Sequence, residues 1–398
     1  MNTDFNFFMI PYNTQKSGDC KPSTHNKFTL LKTSSRTTTL QLPIIINILY
    51  FMNTKELVLE ALSQAKQNRT AVSGEELAKK CQVSRAAIWK AVDSLRKEGF
   101  TIQGTTNGGY ILEENNDIVS PALFYSYIKN NYPANDTHDA SHKDLHNIKV
   151  ECFKEIDSTN LYAKKLLAAT PRLDKTVIIA EHQTAGRGRL GRTFYSPAKT
   201  GIYLSAIYSP ANPITNPAKI TAFSAVAVCR AIKKLYGIET KIKWINDIFY
   251  NDKKICGILT EGFTNFETSL IESAIIGIGI NIEENNEAFP EDVKKIAGAI
   301  FSKSTDTHIT RCELAAEVSV QLYKILEEPS ESVFEEYKQL SFLLGKTLTV
   351  YPVIGDEKSS YKAKAIDIDE NACLVVELSD GTQKTLFSGE VSLKSENF

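Results

Sequence analysis

The sequence predicts an α+β protein in three folded parts, on three observations. Between residues 54 and 97 apolar residues recur at helical spacing, broken by two serine-led restarts, and an Asn-Gly turn between alternating runs follows. From 148 to 340 β-branched runs interleave with long amphipathic stretches. Beyond about residue 345 short alternating runs separated by turns read as a small all-β barrel.

Composition bounds the function classes. The chain has 398 residues, enough for two to four domains, and its 42% hydrophobic and 23% charged content is that of a globular protein. No apolar run reaches the ~18 residues of a membrane span; the best candidate, from Leu42 to Met52, is too short. Seven scattered cysteines, an odd number without paired spacing, favour reduced thiols and a cytoplasmic setting over a disulfide framework. Residues 1–51, rich in Asn, Thr and Ser without a sustained period, read as a disordered or non-native extension, with Met52 as the physiological start.

From Thr54 to Ala65, Leu57, Val58, Ala61 and Leu62 form one helical face. Ser73 followed by Glu76 is a capping-box pattern opening a helix from Glu75 to Cys81, and Ser84 caps the next, from Arg85 to Lys97. The expected buried positions are Leu77, Ala78, Val83, Ile88, Val92 and Leu95. Gln82 stands near the turn position where glycine is usual. With strands at Phe100 to Gln103 and Tyr110 to Leu112, residues 52–115 form a winged helix-turn-helix. Its second helix carries Arg85, Lys90, Arg96 and Lys97, and Ser84, Arg85, Ala86, Ala87, Trp89 and Lys90 form the expected DNA face. The charge supports this modestly: residues 52–112 hold nine Lys/Arg against six Asp/Glu, whereas 113–398 hold 32 against 39. A winged helix used for protein contacts is the alternative.

Residues 116–147 read as a linker with one helix from Pro121 to Lys129. His138, His142 and His146 recur every four residues there, but the stretch has no apolar face to fix a helix, so a solvated loop is expected rather than a metal site.

The larger domain, 148–340, opens with a strand from Ile148 to Ile156, then Asp-Ser-Thr-Asn at 157–160 capping a helix. The β-run from Thr176 to Ala180 leads into Gln183 and a Gly-Arg-Gly-Arg-Leu-Gly-Arg loop at 186–192, and the strand from Gly201 to Tyr208 leaves it. Glycines allow close backbone approach and arginine forks suit carboxylates and phosphates, so the loop points to an anionic small molecule. A buried helix from Asn216 to Tyr236 follows, then a β-rich stretch from Lys241 to Tyr250, a turn, and a return strand that starts near Lys254. The strand from Ser269 to Ile282 contains Gly277 and Gly279, again suited to close approach; no helix follows them, so they are not a dinucleotide fingerprint. Helices are expected from Arg311 to Leu326 and from Val333 to Leu340, and the β domain occupies 341–398.

Four pieces in order carry a specific resemblance: Asp-Ser-Thr-Asn at 157–160, the arginine loop at 186–192, Lys-Trp-Ile-Asn-Asp at 243–247, and Lys-Ile-Cys-Gly-Ile-Leu at 254–259. Together they resemble the biotin–protein ligases, and with the winged helix in front the chain is similar to the bifunctional ligase and biotin-operon repressor form, from about Met52 onward. The resemblance implies a central mixed β-sheet flanked by helices, of the class II synthetase/biotin ligase-like kind, and a C-terminal SH3-like β-barrel. It implies biotin contacts at Ser158, Thr159, Asn160, Gln183, Arg187, Gly188, Arg189 and Lys254, with Lys254 and Arg189 as catalytic residues. It further implies ATP or adenylate contacts at Arg187, Arg192, Trp244, Asn246 and Asp247, with Asp247 as an oxygen ligand for Mg²⁺. Ile245 stands where the family usually has proline, and Cys256 where a small residue is common. The implied partners are a biotin carboxyl carrier protein, operator DNA and a ligand-promoted second copy of the chain. The arginine loop would then close over the ligand and exclude water. A lipoate–protein ligase and a biotin-sensing regulator without catalysis are the competing readings.

Overall fold

The computed structural model describes residues 53–392 apart from 67–69, 106–107, 114–116, 135–141, 266, 285–288, 303–308, 328–329, 353–356 and 388–389. The readings of residues 1–51, His138 and Asn107 lie outside the described residues.

The N-terminal part is α1 (Thr54–Lys66), α2 (Gly74–Cys81), α3 (Arg85–Lys97), β1 (Ile102–Thr105) and β2 (Gly109–Leu112). Both serine caps form: Ser73 Oγ accepts from Glu76 N at 3.0 Å and Ser84 Oγ from Ala87 N at 3.2 Å, each contributing ~1 kcal/mol. Gln82 adopts φ 54° and ψ 42°, so it takes up the left-handed turn that glycine would otherwise fill. Val58, Leu62, Leu77, Ile88, Val92, Leu95, Ile102 and Leu112 form one core. Ala78 and Val83, expected inside, sit at its margin, partly buried. Arg96 lies on α3 as expected, with a structural role that the sequence did not announce. Its guanidinium grips the Ile102 carbonyl from Nε (2.9 Å) and Nη2 (2.7 Å), so it braces the hairpin against α3.

Residues 116–147 do more than connect. The expected helix is present as α4 (Pro121–Asn131), and a one-turn α5 (His142–Leu145) stands where a solvated loop was expected; buried Leu145 supplies the apolar anchor. Ala122 of α4 joins the N-terminal core while Phe124, Tyr127 and Ile128 join the main one. Glu317, fully buried, accepts from Tyr127 (2.7 Å) and Tyr132 (2.7 Å) hydroxyls and from Gln321 Nε2 (2.6 Å). Arg311, 4% exposed, donates from its backbone to Asp117 Oδ1 at 2.8 Å and from Nη2 to the Asp117 carbonyl at 2.7 Å. The segment is thus fastened by buried polar anchors as well as by packing.

The central sheet has the order β3-β4-β5-β9-β8-β7-β6. Its strands are β3 (Lys149–Phe153), β4 (Thr176–Ala180), β5 (Gly201–Tyr208), β6 (Lys241–Lys243), β7 (Asp247–Tyr250), β8 (Lys253–Thr264) and β9 (Ile271–Asn281). β3 and β4 are parallel and the other pairings antiparallel, so the sheet is mixed. The helices are α6 (Thr159–Ala169), α7 (Pro217–Tyr236), α8 (Glu291–Ile296), α9 (Arg311–Glu327) and α10 (Ser330–Leu340). α7 and α9 carry the main core with one sheet face, while Ala163 and Leu167 of α6 pack on Ile178, Ile207 and Ile275 of the other. The stretch from Lys241 to Tyr250, read from sequence as one β-rich run, is two strands; Trp244 and Ile245 lie in the turn between them, joined by a cis peptide. α8 was not anticipated: its six residues include no buried side chain, so it lacks the periodic signal that marks a packed helix.

The C-terminal strands are β10 (Thr347–Tyr351), β11 (Tyr361–Ile368), β12 (Leu374–Glu377), β13 (Gln383–Leu386) and β14 (Glu390–Ser392). Their antiparallel order, β13-β12-β11-β10-β14, is a meander whose last strand returns beside the first, as in SH3-like folds. Among the described residues no helix is long and apolar enough to cross a membrane.

Candidate functional site

Three ranks of residues across β5, β9 and β8 explain where a ligand could lie. Ile207, Ile275 and Glu261 pair in the first, Ser205, Gly277 and Leu259 in the second, Tyr203, Gly279 and Gly257 in the third. Side chains two apart share a sheet face, so all three ranks face the α6 side. α6 covers the first rank. At its N-terminus the sheet turns to serine and glycine, and the missing side chains leave a cleft floor. A Cβ on Gly277 would stand 2.3 Å from Asn160 Oδ1, and one on Gly279 2.4 Å from the Phe194 ring. The close approach anticipated for these glycines is therefore to Asn160 and Phe194.

One end of the cleft is neutral and polar. Ser158 caps α6, and Ser158, Thr159 and Asn160 are buried. Gln183 Oε1 accepts from Thr159 N at 2.9 Å and Oγ1 at 3.1 Å, and Gln183 Nε2 donates to Ser196 Oγ at 2.9 Å. Ser205 Oγ lies 2.7 Å from Thr159 Oγ1 and 2.5 Å from Asn160 Oδ1.

The other end is cationic. The arginine loop folds on itself: Gly188 N donates to Arg192 O at 2.8 Å and Phe194 N to Gly186 O at 2.9 Å. Leu190 takes φ 61° at its exposed tip. This closure aims Arg189 inward, where Nη1 donates to Asn246 Oδ1 at 2.8 Å; Asn246 is itself held by Nδ2 on the Ile258 carbonyl at 3.0 Å.

Lys254 reaches the cleft by an irregularity. Ile255 and Cys256 both belong to the main core, although adjacent strand residues should face opposite ways. The β7–β8 register shifts here, with Ile248 opposite Cys256 and Phe249 opposite Lys254. That bulge puts Lys254 on the same face as Gly257, whose added Cβ would lie 3.3 Å from Lys254 Nζ. The ammonium pairs with Asp247 Oδ1 at 2.7 Å. Cys256, behind it, is a buried thiol whose pKa burial pushes up, so it is packing rather than a nucleophile.

The structure brings every residue expected to touch biotin or ATP to this cleft: Ser158, Thr159, Asn160, Gln183, Arg187, Gly188, Arg189, Arg192, Trp244, Asn246, Asp247 and Lys254 all line it. Among the described residues the lining holds five cations (Arg187, Arg189, Arg192, Lys243 and Lys254) and one carboxylate, Asp247. Such a cleft concentrates an anion, and its neutral end suits an uncharged hydrogen-bonding group. Trp244 lines it too, with Nε1 donating 2.8 Å to the Ala372 carbonyl in the connection between β11 and β12. Sequence reasoning missed Phe194, Ser205 and Glu261; the glycines on β9 were the one signal that a ring packs there. The residues expected to meet DNA lie elsewhere, on α3, where Ser84, Arg85, Ala86 and Lys90 are exposed, Ala87 is half-buried, and Trp89 is 60% exposed.

Residues 152–281 match the model of the biotin/lipoate A/B protein ligase family, and residues 58–111 that of an HTH domain. The chain is 30% identical over 340 residues to the bifunctional ligase/repressor BirA of Bacillus spizizenii, covering 84% of this chain and 97% of that protein. The same protein of Bacillus subtilis gives the same identity and coverage. The solved structure of the biotin protein ligase from Aquifex aeolicus in complex with biotin and ATP is 26% identical, with a TM-score of 0.51, covering 62% of this chain and 98% of that one.

Proposed function

The chain belongs to the family of bifunctional biotin ligase/repressors, and from that premise we propose that its cleft joins biotin to AMP and passes the biotin to a lysine of a biotin carboxyl carrier protein. In the first step the biotin carboxylate attacks the α-phosphorus of ATP; a C–O–P link forms, and the bond to the β-phosphate breaks, releasing pyrophosphate. In the second the acceptor amine attacks the carbonyl and AMP leaves.

The observation that carries the reading is that Arg189 and Lys254 converge from a loop and a strand bulge, opposite the polar end made by Ser158, Thr159, Asn160 and Gln183. The ring end of biotin lies at the polar end, with its carboxylate toward the cations. Lys254 bridges the carboxylate and the α-phosphate, which must approach despite like charge; fixed cations offset that charge where it develops. Asp247 holds the ammonium in place. Asn246 holds Arg189 on the adenylate, Arg187 and Arg192 add charge at the phosphates, Gly188 lets the loop backbone approach the ligand, and Trp244 packs near the base.

Among the described residues Asp247 is the one carboxylate that lines the cleft, and no group of three or more His, Cys, Asp or Glu could hold a metal. With Oδ1 turned to Lys254, the second oxygen of Asp247 suits a Mg²⁺ that would otherwise be held by phosphate and water oxygens. Such an ion would neutralise phosphate charge.

Residues 52–115 serve as the DNA-binding part, 116–147 as the link, 148–340 as the catalytic domain and 341–398 as its SH3-like companion. The loaded protein pairs with a second copy, placing two α3 helices on a two-fold operator. A cytoplasmic setting goes with this reading.

Purified protein given biotin, ATP, Mg²⁺ and a carrier domain should add one biotinyl group to the carrier, seen by intact mass. Lipoate in place of biotin should add nothing. Biotin binding without transfer would favour a sensor, and lipoyl transfer a lipoate ligase. For repression, a gel shift on the promoter of the host's biotin-synthesis genes should appear only with biotin and ATP. Replacing Arg85 and Lys90 together by alanine should weaken it ~10-fold or more and reduce the salt slope by about 2. An unchanged shift would remove α3 from the interface.

A further inference from the structure

Glu261 lies outside every motif used so far, yet its carboxylate faces the back of Asn160. Asn160 Nδ2 donates to Glu261 Oε2 at 2.8 Å and to the Leu259 carbonyl at 3.4 Å, and Lys164 Nζ holds the other carboxylate oxygen, Oε1, at 2.7 Å. Both groups on this side can only accept, so the amide nitrogen must face them. The amide oxygen is left facing Ser205, whose hydroxyl is 2.5 Å away and donates to it. A flipped amide would set oxygen against a carboxylate and a carbonyl, at the cost of unmade buried hydrogen bonds. Gly277 closes the third side, since a Cβ there would strike Oδ1.

We propose that Glu261 is a positioning residue that fixes the polarity of the Asn160 amide, so that the closed end of the cleft offers hydrogen-bond acceptors to the N–H groups of a cyclic urea. With both Nδ2 protons drawn away from the ligand, Asn160 turns only its carbonyl oxygen toward the cleft. A ring bearing N–H donors is matched, and a ring without them, such as a dithiolane, leaves that oxygen unpaired on the ligand side. Glu261 remains ionised at neutral pH. Burial alone would raise its pKa, but the hydrogen bonds from Lys164 and Asn160, with the charges of Lys164 and Arg187, outweigh this and hold it below the ordinary carboxylate value.

The inference rests on the biotin-ligase reading, and the test separates the two. Steady-state KM values for biotin and ATP are measured on the full chain with Glu261→Met, which has no strong acceptor, and Glu261→Gln, which keeps one. Glu261→Met should raise the biotin KM ~10-fold, as expected for loss of a ~1.4 kcal/mol preference, and leave the ATP KM unchanged. Glu261→Gln should stay close to the unaltered protein. The preference for biotin over an analogue methylated at the ureido nitrogens should narrow in Glu261→Met, which a purely structural role would not produce. If Glu261→Met does not fold, Ser205→Ala, which removes the donor on the amide oxygen, should show the same split between the two KM values. An unchanged biotin KM, or an equal rise in both, overturns the role of Glu261 while the ligase reading stands. Failure of the unaltered protein to form adenylate overturns the ligase reading itself.

Discussion

Lys254→Ala is expected to slow biotin-dependent pyrophosphate exchange on the order of 10²–10³-fold, the scale for removing one preorganised charge-stabilising group. The lysine is 29% exposed in its side chain, pinned by Asp247 and aimed by the bulge at Ile255 and Cys256. Alanine leaves the bulge and the floor glycines intact but removes the cation. It also leaves Asp247 without its partner, a negative charge added where the reaction already brings carboxylate and phosphate together. Turnover should fall far more than biotin affinity, because the polar end of the cleft is untouched. An exchange rate within a few-fold of the unaltered protein would take Lys254 out of the mechanism.

Gly277→Ala is expected to weaken biotin binding about 10–100-fold, matching the 1–3 kcal/mol of an overpacked site. The added Cβ would lie 2.3 Å from Asn160 Oδ1, 2.9 Å from its Cγ and 3.0 Å from Nδ2. Asn160 cannot simply swing aside, since Glu261 and Ser205 hold both ends of its amide. The first turn of α6 must move with it, disturbing Ser158 and Thr159. Titration calorimetry with biotin reads the loss; affinity equal to that of the unaltered protein would show that this end of the cleft is not where biotin sits.

Local signals were legible. The serine caps, the helical faces of α1 to α3 and the β-run at Thr176–Ala180 depend on neighbours in the chain, so spacing reveals them. The contiguous motifs were legible too, because a loop such as 186–192 carries its charges and glycines together. What escaped depends on partners far away in sequence. Arg96 reads only as one more cation on α3 until the Ile102 carbonyl is seen beneath it. The 116–147 segment reads as a connector because Glu317, which takes the Tyr127 and Tyr132 hydroxyls, is about 190 residues on. Glu261 meets Asn160 across 101 residues, through a register that spacing does not disclose. The bulge that turns Lys254 into the cleft shows in sequence only as two adjacent apolar residues, Ile255 and Cys256, which gives no sign that both pack into one core.

The central claim is that an arginine loop and a bulge-borne lysine meet on one acid while its ring end rests on the α6 N-terminus. A crystal structure of the protein with biotinyl-5'-AMP bound tests it most directly. The account predicts the ureido ring within hydrogen-bonding distance of Asn160, the phosphate between Arg189 and Lys254, and the base beside Trp244. An adenylate whose phosphate contacts neither Arg189 nor Lys254 would contradict it.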